Sequence, residues 1–172
     1  MLKNLLIIAG SVVMAASVSL AAPSANESYQ KGLAAEKAGD PVAAKAAYTE
    51  ALKANPRHAN ARYRLGQLKI SSGKIAARGR EAKFGAVVIP EFRMDGVSLA
   101  ESVEALRVMV EKESKGEVAP NFIIQDPQDQ LGSARITLSL KAVPSKVVFK
   151  YLLDAVNAKA RFDEHAIVIT PR

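Results

Sequence analysis

The chain has 172 residues, of which 49% are hydrophobic and none is Cys, and its formal net charge is +7. This length suits one ordinary domain or two very small ones, and the hydrophobic content excludes a disordered chain. The absence of Cys excludes a lipoprotein, because lipidation requires a Cys just after the signal segment. It also excludes a fold held together by disulfides.

The stretch at positions 1–21 has the pattern of a secretory signal peptide. Lys3 gives a positive start, residues 5–18 are almost entirely apolar, and residues 19–21 form a small-x-small cleavage site. The apolar run is short for a spanning helix, which needs about 20 residues, so no stable membrane span is expected after cleavage. An uncleaved N-terminal anchor is the alternative. We therefore expect an exported protein of the bacterial periplasm or outer cell envelope.

Positive charge is concentrated in the first half of the mature chain. Residues 22–85 carry 12 Lys and Arg against 5 Asp and Glu, whereas residues 86–172 carry 11 against 12. This asymmetry favours two modules that meet near residue 85. A basic helical surface is compatible with nucleic acid, an anionic envelope polymer, lipid headgroups, an acidic protein or simple solvation. Because the chain is expected to be exported and lacks a nucleic-acid-binding motif, we predict no nucleic acid partner.

The first module contains a repeat. The spacing from Gly32 to Gly66 equals that from Gly39 to Gly73, and both match the tetratricopeptide period of about 34 residues. The first unit, at positions 25–58, resembles the tetratricopeptide repeat family. The signature positions that it matches are Gly32, Ala44, Tyr48, Ala51 and Pro56. The resemblance implies pairs of antiparallel helices.

The second unit departs from the pattern. Asp40-Pro41 predicts a strong start for the second helix of the first unit. In the second unit, Arg78 stands where a small Ala is expected, and Gly79 and Gly85 weaken the second helix. Its second half is therefore expected to act as a cap or as a connecting helix. Because about three repeats are usually needed for stability, these helices should pack on the second module, another copy or a partner.

Repeats of this kind bind peptides or protein segments on concave surfaces. The first helix of each unit supplies the candidate lining, which comprises Asn26, Tyr29, Gln30, Arg62, Tyr63 and Lys69. From this set we predict Tyr29, Arg62 and Lys69 as protein-binding residues. The alternative for Tyr29 and Tyr63 is ordinary packing between helices, and for the charged residues it is simple solvent exposure.

The second module begins with a strand, a helix and a strand. Residues 87–92 are predicted as the first strand, followed by a turn at Asp95-Gly96. Ser98 and Glu101 then form a capping box. The helix after it has an apolar stripe made of Leu99, Val103, Leu106, Met109 and Val110. Residues 121–125 are predicted as the second strand.

The remaining stretch predicts a strand, a helix and a hairpin. Ile136, Leu138 and Leu140 alternate with polar residues, as in a strand with one buried face. Val143-Pro144 is expected to break this strand, and Ser145 is expected to cap the helix that follows. The polar turn at residues 163–165 separates two short apolar runs, which indicates a closing hairpin.

The run ITLSLKAVPSKVVFKYLL, followed by ARFDEHAIVI, is similar to the second half of the secretin and TonB short N-terminal domain. The shared pattern is a strand ending in an Asn/Lys-x-Val-Pro corner, a helix with a Leu-Leu pair and a hairpin ending in Ile-x-Ile. Over residues 87–171 the resemblance implies a βαββαββ domain with two helices between small sheets. It also implies a periplasmic docking module. The pore-forming secretin core is missing, so we do not expect a channel.

Residue types that perform catalysis or bind metals are scarce. His58 and His165 are the two His residues. His58 is expected to be solvated, and Asp163, Glu164 and His165 are consecutive, so neighbouring side chains on a strand would point apart. The loop at residues 126–130 lacks the Gly and bidentate Glu of a calcium-binding loop. We therefore predict no catalytic, cofactor or metal site and no enzymatic activity.

Together these features predict an α+β protein in three parts: a signal peptide at 1–21, tetratricopeptide-like helical hairpins at 22–85, and a small βαββαββ domain at 86–172. The predicted function is that of an exported, non-catalytic adaptor with protein partners in the cell envelope, docking on a secretion or type IV pilus assembly. The alternative is a self-assembling structural envelope protein, in which the incomplete repeat array stacks against another copy.

Overall fold

A computed structural model describes residues 23–172, so the predicted signal peptide lies outside the described residues. Three helices come first: α1 (Ala25–Ala38), α2 (Pro41–Ala54) and α3 (Ala59–Ala86). The elements that follow are β1 (Val88–Val97), α4 (Leu99–Glu113), β2 (Phe122–Ile124), β3 (Ile136–Pro144), α5 (Ser145–Ala155), β4 (Ala158–Phe162) and β5 (Ile167–Pro171). This order confirms the predicted α+β fold class, with helices followed by a βαββαββ arrangement.

The helices α1 and α2 form a tight hairpin whose ends are fixed by local hydrogen bonds. Gly39 ends α1 in the left-handed conformation, with a φ of 78°. Asp40 then accepts the N–H of Ala43 at the start of α2, with Pro41 at the first helical position, as predicted. The fully buried ring of Tyr48 lies against Gly32, where an added Cβ would overlap the ring. Glycine at this position therefore permits the close helix crossing.

The second repeat has no helical hairpin of its own. Instead, α3 is one continuous helix of 28 residues that passes through Gly73, where the repeat period would place a turn. Lys74 and Ile75 stand where the first unit has Asp40 and Pro41. Because nothing there caps and restarts a helix, α3 continues. Of the two predicted alternatives, the structure has the connecting helix.

The turn between α1 and α2 approaches α3 closely at a pair of glycines. A Cβ on either Gly39 or Gly79 would overlap the backbone of the other. Gly79 is buried within α3. The sequence indicated only that Gly79 weakens a helix, whereas in the structure it makes a close contact between backbones possible.

The strands form two small sheets. β1 and β3 pair as an antiparallel ribbon, while a second sheet has the order β2-β5-β4, with β2 parallel to β5 and β4 antiparallel to it. The hairpin predicted around residues 163–165 is therefore confirmed.

One of the two predicted interruptions of the ribbon is wrong. Asp95-Gly96 does not end β1 but lies inside it, beside a shift of register between Met94 and Val97. This is the local irregularity of a β-bulge, and the Gly96 N–H is satisfied by the Thr137 hydroxyl at 3.1 Å. β3 does end at Val143-Pro144, as the sequence predicted, and Pro144 pairs with Val88 at the last position of the ribbon, where a strand tolerates Pro.

The buried side chains form two clusters, and α3 contributes to both. The first cluster contains Ala44, Tyr48, Ala51, Ala61, Leu68 and Ile75. The second lies among α4, α5 and the strands, and it includes Phe84, Phe92, Leu106, Ile136, Leu152, Ile167 and Ile169. Leu68 and Ile75 of α3 therefore belong to one core and Phe84 of the same helix to the other.

The last turn of α3 is fixed to the second cluster by Phe84. Its ring lies 6.0, 5.7 and 5.8 Å from the rings of Phe122, Phe149 and Phe162, measured between centroids. The predicted capping role of Ser145 is wrong: α5 begins without a side-chain cap, and the buried Ser145 hydroxyl donates to the Phe84 carbonyl instead. Ser145, which was expected to cap α5, therefore forms a hydrogen bond with α3 instead.

The two glycines at equivalent repeat positions should respond to alanine in opposite directions. Gly32→Ala should lower the free energy of unfolding by about 1–3 kcal/mol, because the methyl group overlaps the Tyr48 ring. At Gly66 a Cβ meets no described atom within 4 Å, so Gly66→Ala should raise the free energy of unfolding by up to about 1 kcal/mol through helix propensity. Urea denaturation of both variants measures these changes, and equal effects would contradict the described packing.

Candidate protein-binding surface

Tyr29 lies in the packed interior of the helical hairpin. Its ring is half-buried, with the rings of Tyr48 and His58 at centroid distances of 5.8 and 5.0 Å. His58 is not simply solvated, as the sequence had suggested. Its Nδ1 accepts the N–H of Ala61 at the start of α3, so Nε2 carries the proton and donates to Asn26 Oδ1 at 3.1 Å. Tyr29 therefore sits beside a histidine that joins α1 to α3.

A carboxylate that the sequence did not single out connects all three helices. Glu36 Oε1 accepts the Tyr48 hydroxyl at 2.7 Å, and Glu36 Oε2 lies 3.5 Å from Arg64 Nη1. The Glu36 carbonyl also accepts from Arg78 at 3.0 Å. The sequence offered one signal for this role of Glu36, which is its spacing: Glu36 follows Tyr29 by two helical turns and therefore lies on the same face of α1.

Arg62 and Lys69 lie on the exposed side of α3, two turns apart. Together with the residues between and beside them they make a surface that we call the open face, defined as Arg62, Tyr63, Gly66, Lys69 and Ile70. All five are exposed, including 64% of Tyr63 and 83% of Ile70. The structure therefore brings two of the three predicted binding residues together. It places Tyr29 elsewhere, on α1.

The repeat period relates the open face to a covered face of α1. Moving back along the chain by one period of about 34 residues gives Ser28, Tyr29, Gly32, Ala35 and Glu36. Ser28 and Gly32 are buried, Tyr29 and Ala35 pack on the first cluster, and Glu36 binds the Tyr48 hydroxyl of α2. The face that α2 covers on α1 is thus uncovered on α3 within residues 23–172.

Comparison with known proteins supports the repeat. The tetratricopeptide repeat family model matches residues 35–77, from the last turn of α1 to beyond the middle of α3. No curated protein and no solved structure matches the chain. Tetratricopeptide repeats are typically non-catalytic modules that bind other proteins. The match therefore supports a role in protein–protein interaction.

The polar residues that resembled other kinds of site have local roles. The Asp126 carboxylate accepts the N–H groups of Gln130 and Leu131 at 2.9 and 2.6 Å and so closes its own loop. His165 is exposed in the turn before β5, 4.0 Å from Glu164. No group of three or more acidic or His side chains that could hold a metal ion is found between residues 23 and 172. In the same range, no helix is both long and apolar enough to cross a membrane.

The Tyr48 hydroxyl should make stability depend on pH under alkaline conditions. Burial, and then the hydrogen bond to Glu36, raise the pKa of Tyr48 above its ordinary value. The folded state therefore favours the protonated phenol, so this stabilisation is complete below the unfolded pKa of about 10 and is lost as the pH rises above it. We expect the free energy of unfolding to fall above about pH 10, and less steeply in Tyr48→Phe.

Urea unfolding followed by circular dichroism across this range measures the slope. Tyr63→Phe is the matched control, because Tyr63 is mostly exposed in the folded protein. This variant should keep the slope of the unaltered chain. Identical slopes for Tyr48→Phe and the unaltered chain would contradict the described environment of Tyr48.

Proposed function

We propose that this protein is an exported, non-catalytic adaptor. In this proposal residues 22–85 bind a segment of a partner protein, and residues 86–172 dock on a secretion or type IV pilus assembly of the cell envelope. The observation that carries the binding role is the open face of α3, which exposes Tyr63 and Ile70 beside two basic residues within a stretch that matches a protein-binding repeat. Large exposed apolar side chains grouped on one surface are typical of interaction sites.

The docking role rests on the resemblance of residues 87–171 to the secretin and TonB short N-terminal domain. The observed βαββαββ order agrees with what that resemblance implies. In the described sheets, β2 and β4 each pair on one side only, as do β1 and β3. Such edges can add a strand from another protein, which gives the proposed docking a physical route.

Export rests on the signal peptide pattern of positions 1–21, with its positive start, apolar run and small-x-small site. We place the mature protein in the periplasm or outer envelope on this basis. Fractionation followed by intact-mass measurement tests it. We expect a chain that begins near residue 22 in the envelope fractions, and an unprocessed chain confined to the cytoplasm would contradict export.

A second candidate function is self-assembly into an envelope structure. The observation that favours it is again the uncovered face of α3, because an incomplete repeat array can be completed by another copy. The two candidates differ in what lies on Tyr63 in the cell: another protein, or a second copy of this chain.

Photo-crosslinking in living cells distinguishes these candidates. A photoreactive amino acid replaces Tyr63 on the open face, and in the control it replaces Val42, which is 77% exposed on α2. An adaptor should give adducts at position 63 that contain a different envelope protein, with far fewer at position 42. Adducts that contain only this chain would favour self-assembly, and equal labelling at both positions would contradict a specific binding face.

A further inference from the structure

The open face resembles a helix-packing surface that no helix covers within residues 23–172. In the first repeat, α2 covers α1 by placing the Tyr48 ring on Gly32. At the equivalent position of α3, a Cβ added to Gly66 meets no described atom within 4 Å. Tyr63 and Ile70 lie one turn on either side of Gly66. Two exposed apolar side chains therefore flank a position that has no side chain.

We propose that the open face binds an amphipathic, acidic helix of a partner protein, in the position over α3 that α2 occupies over α1. This inference rests on the proposed protein-binding role and specifies the partner's secondary structure and charge. A large apolar side chain of the partner would lie on Gly66, as Tyr48 lies on Gly32. This mode differs from an extended peptide held along a groove, because two helices pack face to face.

The charge of α3 determines the charge of its partner. The helix carries seven Lys and Arg against one Glu. Two positions that hold small residues on the covered face of α1 hold basic residues on the open face of α3. Ser28 corresponds to Arg62, and Ala35 corresponds to Lys69. No salt bridge to either basic side chain is present among residues 23–172. The Arg62 guanidinium donates to the Pro56 carbonyl at 2.6 Å, and carboxylates on a covering helix would complement the charge of both basic side chains.

A second copy of this chain fits the open face less well than an acidic partner. The candidate within the chain is α4, whose exposed side carries Val108 between Glu104 and Glu111. However, Arg107 already binds both carboxylates, at 2.6 and 3.1 Å. The other structural analogue, α2, is itself basic, with Lys45 and Lys53 and a single Glu. The carboxylates beside Val108 in α4 are therefore already paired, and α2 has a single carboxylate for two basic partners, so neither helix complements both Arg62 and Lys69.

A peptide copied from α2 provides a defined probe. It has the sequence of residues 41–54 with the substitutions Lys45→Glu and Lys53→Glu, and it carries a fluorescent label. Both lysines are exposed in α2, so the apolar face with Tyr48 is retained. Fluorescence anisotropy then measures binding of this peptide to the protein as cells produce it. We expect saturable binding that weakens with added salt.

Variants of the open face should weaken this binding, and matched variants elsewhere should not. Ile70→Ser and Lys69→Glu are each expected to raise the Kd about tenfold, as for central residues of an interface. Gly66→Leu should do the same by filling the space above the helix. The controls are Val42→Ser, which removes a similarly exposed apolar residue from α2, and Lys37→Glu, which reverses an exposed charge on α1.

Several outcomes would overturn the proposal. One is equal binding by the open-face variants and the controls. Another is equal binding of a peptide that keeps Lys45 and Lys53, because charge would then not select the partner. A third is self-association of the unaltered chain in sedimentation experiments that Ile70→Ser abolishes, because a second copy would then occupy the face. If the acidic peptide fails to bind while crosslinks at position 63 contain another protein, this inference falls and the adaptor function stands.

Discussion

The architecture depends on one helix being shared by two hydrophobic cores. α3 buries Leu68 and Ile75 against the helical hairpin and Phe84 among the aromatic rings of the second cluster. The Ser145 hydroxyl and the Lys146–Glu81 ion pair, at 3.0 Å, fasten the same end of the helix to α5. Because one helix of 28 residues spans both cores, we expect a loss of packing in either core to disturb the other.

This shared helix explains how one and a half repeats persist without further repeats beside them. A stacked array normally gains its stability from neighbouring units, whereas here the βαββαββ part supplies the neighbour through Phe84. The first half of α3 still has the spacing of a repeat helix, with Gly66 and Tyr63 at the positions that correspond to Gly32 and Tyr29. One side of α3 therefore packs on the rest of the protein, whereas the open face stays exposed in the described residues.

The elements and fold class were predictable because they depend on local signals: the caps at Asp40 and Ser98 were confirmed. Contacts between distant segments were not predictable. Ser145 follows a strand and precedes a helix, the usual setting of a cap, and only the folded chain brings the Phe84 carbonyl to its hydroxyl. Similarly, Arg62 and Lys69 could be placed on one face from spacing. The exposure of that face depends on the missing second hairpin, which the degenerate second repeat indicated as one of two alternatives, and on what else packs against α3, which no local pattern indicated.

Amide hydrogen exchange on the unaltered chain and on Phe84→Leu tests the shared helix most directly. The substitution trims a ring from the second core while keeping an apolar side chain, so the fold should persist with reduced stability. If α3 couples the cores, exchange should accelerate in α1 and α2 as well as in the strands, although Phe84 itself belongs to the second core. Faster exchange confined to residues 88–171, with α1 and α2 unchanged, would contradict this coupling.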